Sequence, residues 1–333
     1  MDDTSSTATR IHSVSVVIPV LQGEQTLEPL VDEILEFASQ TRTPGGNEFR
    51  VTEIVLVYDN GSDDSDIVMR ELERKHESVR NIWLTRNFGQ HAATLAGIAS
   101  SVGDWVVTID DDGHHDPRDI GVLLDAAVSH RAQVVYAKPT TDGASGRLKS
   151  SASKSAKQLM NGFVSNASDY SRFRLILGSV ARGVAAYTGS GVYLDVALGW
   201  VAGSFATAPT ELRGETRSSG GGLRRVLDLA GRLVLTSGTR GLRVVSAIGI
   251  VFAVLGVALA IWAIVVHFTN DALAVGWAPS VIIVLIASGA ILFSLGVIAE
   301  YLGVVVRVTL GKPPYLITSD PAAGPFGAPR KRK

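Results

Sequence analysis

Three consecutive carboxylates, Asp110, Asp111 and Asp112, close the apolar run Trp105-Val106-Val107-Thr108-Ile109, and Gly113-His114-His115-Asp116-Pro117 follow at once. The run has the composition of a buried strand, and stacked like charges at its end are locally costly. Neighbouring carboxylates repel and cannot be desolvated without partners. The residues leave two readings. One is a solvated acidic turn. The other is a site for a divalent cation and a phosphate, since hard oxygen donors suit Mg2+ or Mn2+. The two adjacent histidines point in different directions from a strand-end loop and have no third nearby, which argues against zinc.

The elements that position this triplet are legible from patterning. Between Ser13 and Lys138 apolar runs alternate with helical periods. Strands are expected at Ser13–Ile18, Glu53–Tyr58, Asn81–Thr85, Trp105–Ile109 and Gln133–Ala137. Helices are expected at Thr26–Ser39, Asp64–His76, Ala92–Ser100 and Pro117–Ser129. This alternation predicts an α/β domain, a mainly parallel sheet with helices on both faces. In such sheets ligands bind beyond the carboxyl ends of strands. Polar residues gather at those ends: Pro19 and Glu24, then Asp59-Asn60-Gly61-Ser62, Arg86-Asn87, Asp110 to Asp112, and Lys138. Mixed carboxylates and cations at five strand ends predict one crevice for a phosphorylated, polyhydroxylated ligand. No G-x-G-x-x-G follows the first strand and no P-loop sequence occurs, which argues against dinucleotide and P-loop nucleotide sites.

The 333 residues carry a formal net charge of −1, so no global basic surface points to nucleic acid. No cysteine is present, which removes disulfides and thiolate chemistry and fits a reducing cytosolic face. The polar start, Met1 to Arg10, is not a secretory signal. Asn60-Gly61-Ser62 and Asn166-Ala167-Ser168 match the glycosylation pattern, which a cytosolic domain would not expose to that machinery. The last third differs. Val244 to Val266 and Ala278 to Ala299 hold no charged residue, and each is long enough to cross a hydrocarbon core of roughly 30 Å. Arginines and lysines flank the pair while the connector has none, which predicts a hairpin with both flanks in the cytoplasm. A buried helical hairpin is the alternative. Leu223 to Leu242 interleaves leucines with arginines, as an amphipathic segment on a membrane surface would; an ordinary domain helix is the alternative there. The tail after Ile317 is expected to be disordered.

Several motifs in order carry a resemblance. They are Val16-Val17-Ile18-Pro19-Val20 with Glu24, Asp59-Asn60-Gly61-Ser62, Thr85-Arg86-Asn87-Phe88-Gly89, the triplet through Pro117, Asp169-Tyr170-Ser171-Arg172-Phe173-Arg174, and Leu295 to Gly303 with Pro314-Tyr315. Over roughly residues 13 to 317 the chain resembles the membrane-anchored polyprenyl-phosphate glycosyltransferases, inverting GT-A enzymes of glycosyltransferase family 2 that include the bactoprenol glucosyltransferase and dolichyl-phosphate mannose synthase groups. The stretch after Arg213 departs from the family's R-x-x-G-x-S-x-Y pattern, and no role is carried over there.

The resemblance implies a GT-A (Rossmann-like) cytosolic domain followed by a two-helix transmembrane hairpin. Residues 1–12 would be a disordered start and 13–222 the glycosyltransferase domain. An amphipathic segment would follow at 223–243, spans at 244–267 and 277–299, and a cytosolic extension with a basic tail at 300–333. It implies transfer of a sugar, with inversion, from a nucleotide sugar to polyprenyl phosphate at the inner (plasma) membrane; UDP-glucose is the expected donor, by family frequency. Asp112 and Asp110 would hold Mg2+ or Mn2+. Pro19, Glu24, Asp59, Arg86, Asp110, Asp111 and His114 would bind the donor, with Glu24 and Asp59 at the nucleoside end. Asp169 would be the catalytic carboxylate beside Asp112. Lys138, Arg147 and Arg174 would face the acceptor phosphate. The resemblance also implies a homo-oligomer, a tetramer. The competing reading from a different class is a non-catalytic sugar-nucleotide-binding scaffold that partners a flippase.

Overall fold

The computed structural model describes residues 10–139, 171–188, 194–213 and 313–325, with scattered positions between 284 and 309. The chain divides into two units, one comprising Met1–Lys157, Asn166–Arg217 and Pro313–Lys333, the other Gln158–Ser165 and Ser218–Lys312.

In the first unit the strands are β1 (Ile11–Val20), β2 (Thr41–Arg42), β3 (Glu48–Tyr58), β4 (Val79–Leu84), β5 (Trp105–Thr108), β6 (Val134–Pro139), β7 (Arg174–Leu177), β8 (Phe205–Thr210) and β9 (Ile317–Thr318). They form one sheet in the order β8-β6-β7-β5-β1-β3-β4-β9, with β2 on β3. Pairing is parallel from β5 through β1 and β3 to β4, and between β6 and β8. The strand β7 runs antiparallel between β5 and β6. The expected mainly parallel α/β sheet is what the chain builds.

Every residue of β1 from Val14 to Val20 is buried, the signature of a strand covered on both faces. Val16 and Ile18 pack under α1 (Leu27–Leu35), α2 (Ser65–Lys75) and α4 (Asp119–His130). Val17 faces the other way, toward α3 (Gln90–Ala99), α5 (Gly178–Tyr187) and α6 (Leu194–Val201). The helix α3 sits unusually close to the sheet because Gly97 has no side chain. A Cβ there would overlap Val17 Cγ1 and come within 2.9 Å of Val57 Cγ2. This contact sets where the first turn of α3, beginning at Gln90, meets the strand ends.

The tail after Ile317 is not disordered as far as Pro325. Ile317–Thr318 adds an antiparallel edge strand to β4, and the Thr85 amide donates to the Leu316 carbonyl at 3.1 Å. Asp320 takes two hydrogen bonds from Arg70, at 2.8 and 2.9 Å, and caps the turn at Pro321–Ala323 through the Ala322 amide. Arg70 also pairs with Asp66 and lies over the Trp83 ring at 4.7 Å. A Pro- and Ala-rich composition hid one well-placed carboxylate. Arg70 holds the Asp320 carboxyl below its ordinary value, against the opposing effect of burial. The stability it contributes is therefore present above about pH 4, the ordinary carboxylate range, and is lost as pH falls through the lower folded value. The protection factor of the Thr85 amide against hydrogen exchange, measured relative to its intrinsic rate at each pH, is expected to fall across that acid window. Asp320→Asn should remove the pH dependence, at a cost of about 1 kcal/mol for a partly exposed pair.

The second unit's described positions between 284 and 309 are helical, and Val284, Ile291, Leu295, Ile298, Leu302 and Val305 are all exposed there. Among the described residues no helix is long and apolar enough to cross a membrane. The amphipathic segment 223–243 and the span 244–267 lie outside the described residues, as does most of the span 277–299.

Candidate functional site

The carboxyl ends of β1, β3 and β5 and the start of β7 share one edge of the sheet, as the register Val17↔Thr108 and Thr108↔Arg174 requires. Side chains of the emerging loops are hydrogen-bonded across that edge. Asp59, at 2% exposure, accepts from the Phe88 and Gly89 amides at 2.7 and 2.9 Å. Burial raises its pKa, with the two amides and the Arg86 charge opposing. Its first task is thus to hold the 87–89 loop and the start of α3 against the end of β3. Asn60 takes a left-handed backbone, φ 55°, a conformation asparagine tolerates better than most residues. Its side chain donates to the Leu84 carbonyl. Gly61 is required by close approach: a Cβ there would overlap the Leu21 carbonyl oxygen.

The three carboxylates of the triplet do three different things. Asp110 is buried and takes donors on both oxygens, Gln90 on one and Arg172, at 3.1 Å, on the other. Asp111 turns back to β1's loop, accepting from the Leu21 and Gln22 amides at 2.9 and 3.3 Å. Burial raises its pKa, and the charges of Asp110 and Asp112 add to that rise. Asp112 is exposed; one oxygen accepts from the His114 amide at 3.1 Å, and the other lies 4.0 Å from His114 Nε2.

His114 packs its ring nitrogen Nδ1 against the Arg213 carbonyl at 3.2 Å, and the Arg213 amide returns a bond to the His114 carbonyl at 2.8 Å. The Arg213 guanidinium then joins Glu33 on α1 to Asp116, the latter at 2.8 Å. Sequence left Arg213 without a role; here it ties the loop after the triplet to a helix. Glu24 accepts from the Asp64 amide at 3.2 Å, linking the loops after β1 and β3. Arg86 is exposed and stacks over Phe88 at 4.0 Å. Pro19 lines a cleft with Gln90, Thr94, Asp110 and Arg172.

Lys138 is exposed near the carboxyl end of β6. Arg174, expected to face an acceptor phosphate, is instead 3% exposed and committed inward. Its guanidinium pairs with Asp195 and its Nε donates to Thr108 Oγ1 at 3.1 Å. Burial pulls its pKa down, but the Asp195 charge outweighs that and keeps it protonated. Asp169 and Arg147 lie outside the described residues. Sequence reasoning assigned nothing to Gln90 and Arg172, although Arg172 sits within one of the motifs and Gln90 directly follows another. Their signal was position: Gln90 opens α3 at this edge, and Arg172 stands two residues before the start of β7.

A model of the glycosyl transferase family 2 domain matches residues 15–185. The undecaprenyl-phosphate 4-deoxy-4-formamido-L-arabinose transferase of Edwardsiella ictaluri is 30% identical over 324 residues, 92% of this chain and 94% of that protein. The protein of the same description from Pseudomonas paraeruginosa is 30% identical over 335 residues, 96% and 93% of the two chains. Among solved structures, glucosyl-3-phosphoglycerate synthase from Mycobacterium tuberculosis is similar with a TM-score of 0.46 and 16% identity, over 68% of this chain and 80% of that one.

Proposed function

The chain belongs to glycosyl transferase family 2, and from that premise we propose that it moves a sugar from a nucleotide diphosphate donor onto the phosphate of a polyprenyl lipid, with inversion. The observation that carries this reading is the reach of the similarity to lipid-phosphate sugar transferases. It runs over 92% of the chain, well past the family domain and through the two uncharged segments of the last third.

An acceptor phosphate monoester has a second pKa near 6, so at neutral pH it is largely dianionic and already a nucleophile. Its oxygen attacks the anomeric carbon as the bond to the diphosphate breaks, and a nucleoside diphosphate departs with the electron pair. Little proton transfer is needed; positioning and charge compensation dominate. The residues present fit a hard divalent cation. Asp112 offers an exposed carboxylate, and three adjacent carboxylates concentrate negative charge that a cation would relieve. Asp112 with Asp110 would hold Mg2+ or Mn2+, which when bound supplies positive charge against the leaving diphosphate. Asp59 and Glu24 shape the nucleoside end by holding loops together, with Arg86 exposed beside them. Asp169 is proposed as the catalytic carboxylate, and Lys138 and Arg147 as cations for the acceptor phosphate; Arg174 serves the interior.

The uncharged segments at 244–267 and 277–299 are proposed to anchor the enzyme in the plasma membrane with its catalytic unit in the cytoplasm. The exposed apolar side chains from Val284 to Val305 are consistent with a lipid-facing helix. Such a product, made on the cytoplasmic side, requires a flippase to be used on the other.

Gly61→Ala tests the loop geometry. Pushing the Leu21 carbonyl away misplaces the loops after β1 and β3, and kcat/KM is expected to fall about 10- to 100-fold, mostly through the donor KM, as steady-state kinetics would read. The function itself is tested by incubating detergent-solubilised protein with undecaprenyl phosphate, Mg2+ and labelled nucleotide sugars. UDP-glucose and UDP-4-deoxy-4-formamido-L-arabinose head the panel. Label should enter the organic phase from one donor only when the lipid phosphate is present. Lipid-independent transfer, or none from any donor, would overturn the reading.

A further inference from the structure

The proposed cation site is guarded from within. The Asp110 side chain is 10% exposed and its two oxygens are held by Gln90 and Arg172. Arg172 is built the opposite way. Thr108 Oγ1 donates to its carbonyl at 2.6 Å, which fixes the main chain at the entry to β7, while its side chain is 66% exposed. A fixed base and an exposed head let the guanidinium leave Asp110 without disturbing the fold. Asp111 is spent on the Leu21 and Gln22 amides, and Asp112 stands open. A cation shared by Asp110 and Asp112 therefore needs the oxygen that Arg172 holds, and two positive charges on one carboxylate repel each other.

We propose that Arg172 is a positioning residue that couples cation binding to nucleotide binding. This rests on the donor reading given above. In the empty site Arg172 neutralises Asp110 and opposes a divalent cation arriving alone. It yields that oxygen when an incoming diphosphate offers anionic oxygens of its own, an exchange suited to a guanidinium, whose planar fork takes carboxylate and phosphate alike. Cation and nucleotide then load together, and the charge released from Asp110 moves onto the leaving group.

The test is a Mn2+ titration of the full-length protein, with free Mn2+ read by electron paramagnetic resonance, alone and with UDP or GDP. Arg172→Ala is expected to bind Mn2+ alone about 2- to 5-fold more tightly than the wild type, the scale of a partly exposed ion pair. The gain in Mn2+ affinity on adding nucleotide should shrink in Arg172→Ala and persist in Arg172→Lys. A purely structural arginine would change thermal stability and leave that coupling alone. Equal Mn2+ affinity of wild type and Arg172→Ala, or no Mn2+ binding by either, overturns the inference. Transfer to undecaprenyl phosphate, followed in parallel, separates the two claims. A Mn2+ difference without transfer by the wild type supports the guard and overturns the acceptor reading; transfer without a Mn2+ difference overturns the guard alone.

Discussion

Asp112→Asn should lower the rate of sugar transfer about 100- to 1000-fold, the cost of losing a charge aimed at a developing anion. The side chain is 44% exposed and its partners are local, the His114 amide and ring. Melting temperature should therefore stay close to that of the wild type, since exposed substitutions away from special features change stability by only about ±0.5 kcal/mol. The comparison with Asp111→Asn makes the result specific. That side chain serves the Leu21 and Gln22 amides, and burial with two neighbouring charges already disfavours its ionised form. Removing its charge should cost far less turnover. Equal losses in the two variants would mean that the triplet acts as a diffuse acidic patch with no division of labour.

Asp195→Ala should be the most damaging substitution for stability, by about 3–5 kcal/mol. Arg174 is 3% exposed and Asp195 carries its opposing charge, with the Tyr136 hydroxyl donating to the same carboxylate at 3.1 Å. Truncating Asp195 strands a guanidinium in the interior beneath the start of β7 and leaves the Tyr136 hydroxyl without that acceptor. Because Arg172 stands two residues before Arg174, the same change should loosen the cleft. Chemical denaturation checks the energy. Replacing the pair together, Arg174→Met with Asp195→Leu, should recover much of the loss, because a buried ion pair is often no better than well-packed apolar groups. A loss below about 1 kcal/mol for Asp195→Ala would show the pair to be solvated.

The parallel core was legible because period and composition act locally. β1, β3, β4, β5 and β6 are apolar runs bounded by turns, and the four helices between them begin and end within a few residues of their expected positions. β7 and β8 were not legible. β7 is four residues long, opens on an arginine and runs straight into α5, so its identity comes from pairing with β5 and β6. β9 has two residues and exists through β4 and the Arg70–Asp320 clamp. The site divides the same way. Strand-end charges are visible in sequence because they violate the hydrophobic pattern. Which carboxylate does what is not, since Asp110, Asp111 and Asp112 are chemically identical and differ only in the direction the backbone gives each. Arg174 shows the limit most clearly. Its partner lies 21 residues away in sequence, and no local rule distinguishes an arginine that will face phosphate from one that will be buried beside an aspartate.

The most direct measurement is the chemical structure of the lipid product. Mass spectrometry and 31P NMR of the organic phase, after reaction with undecaprenyl phosphate and the accepted nucleotide sugar, should show one phosphate between lipid and sugar. The anomeric configuration should be opposite to the donor's, with a nucleoside diphosphate released in equal amount. A lipid carrying two phosphates with release of a nucleoside monophosphate, or retention at the anomeric carbon, would contradict the account.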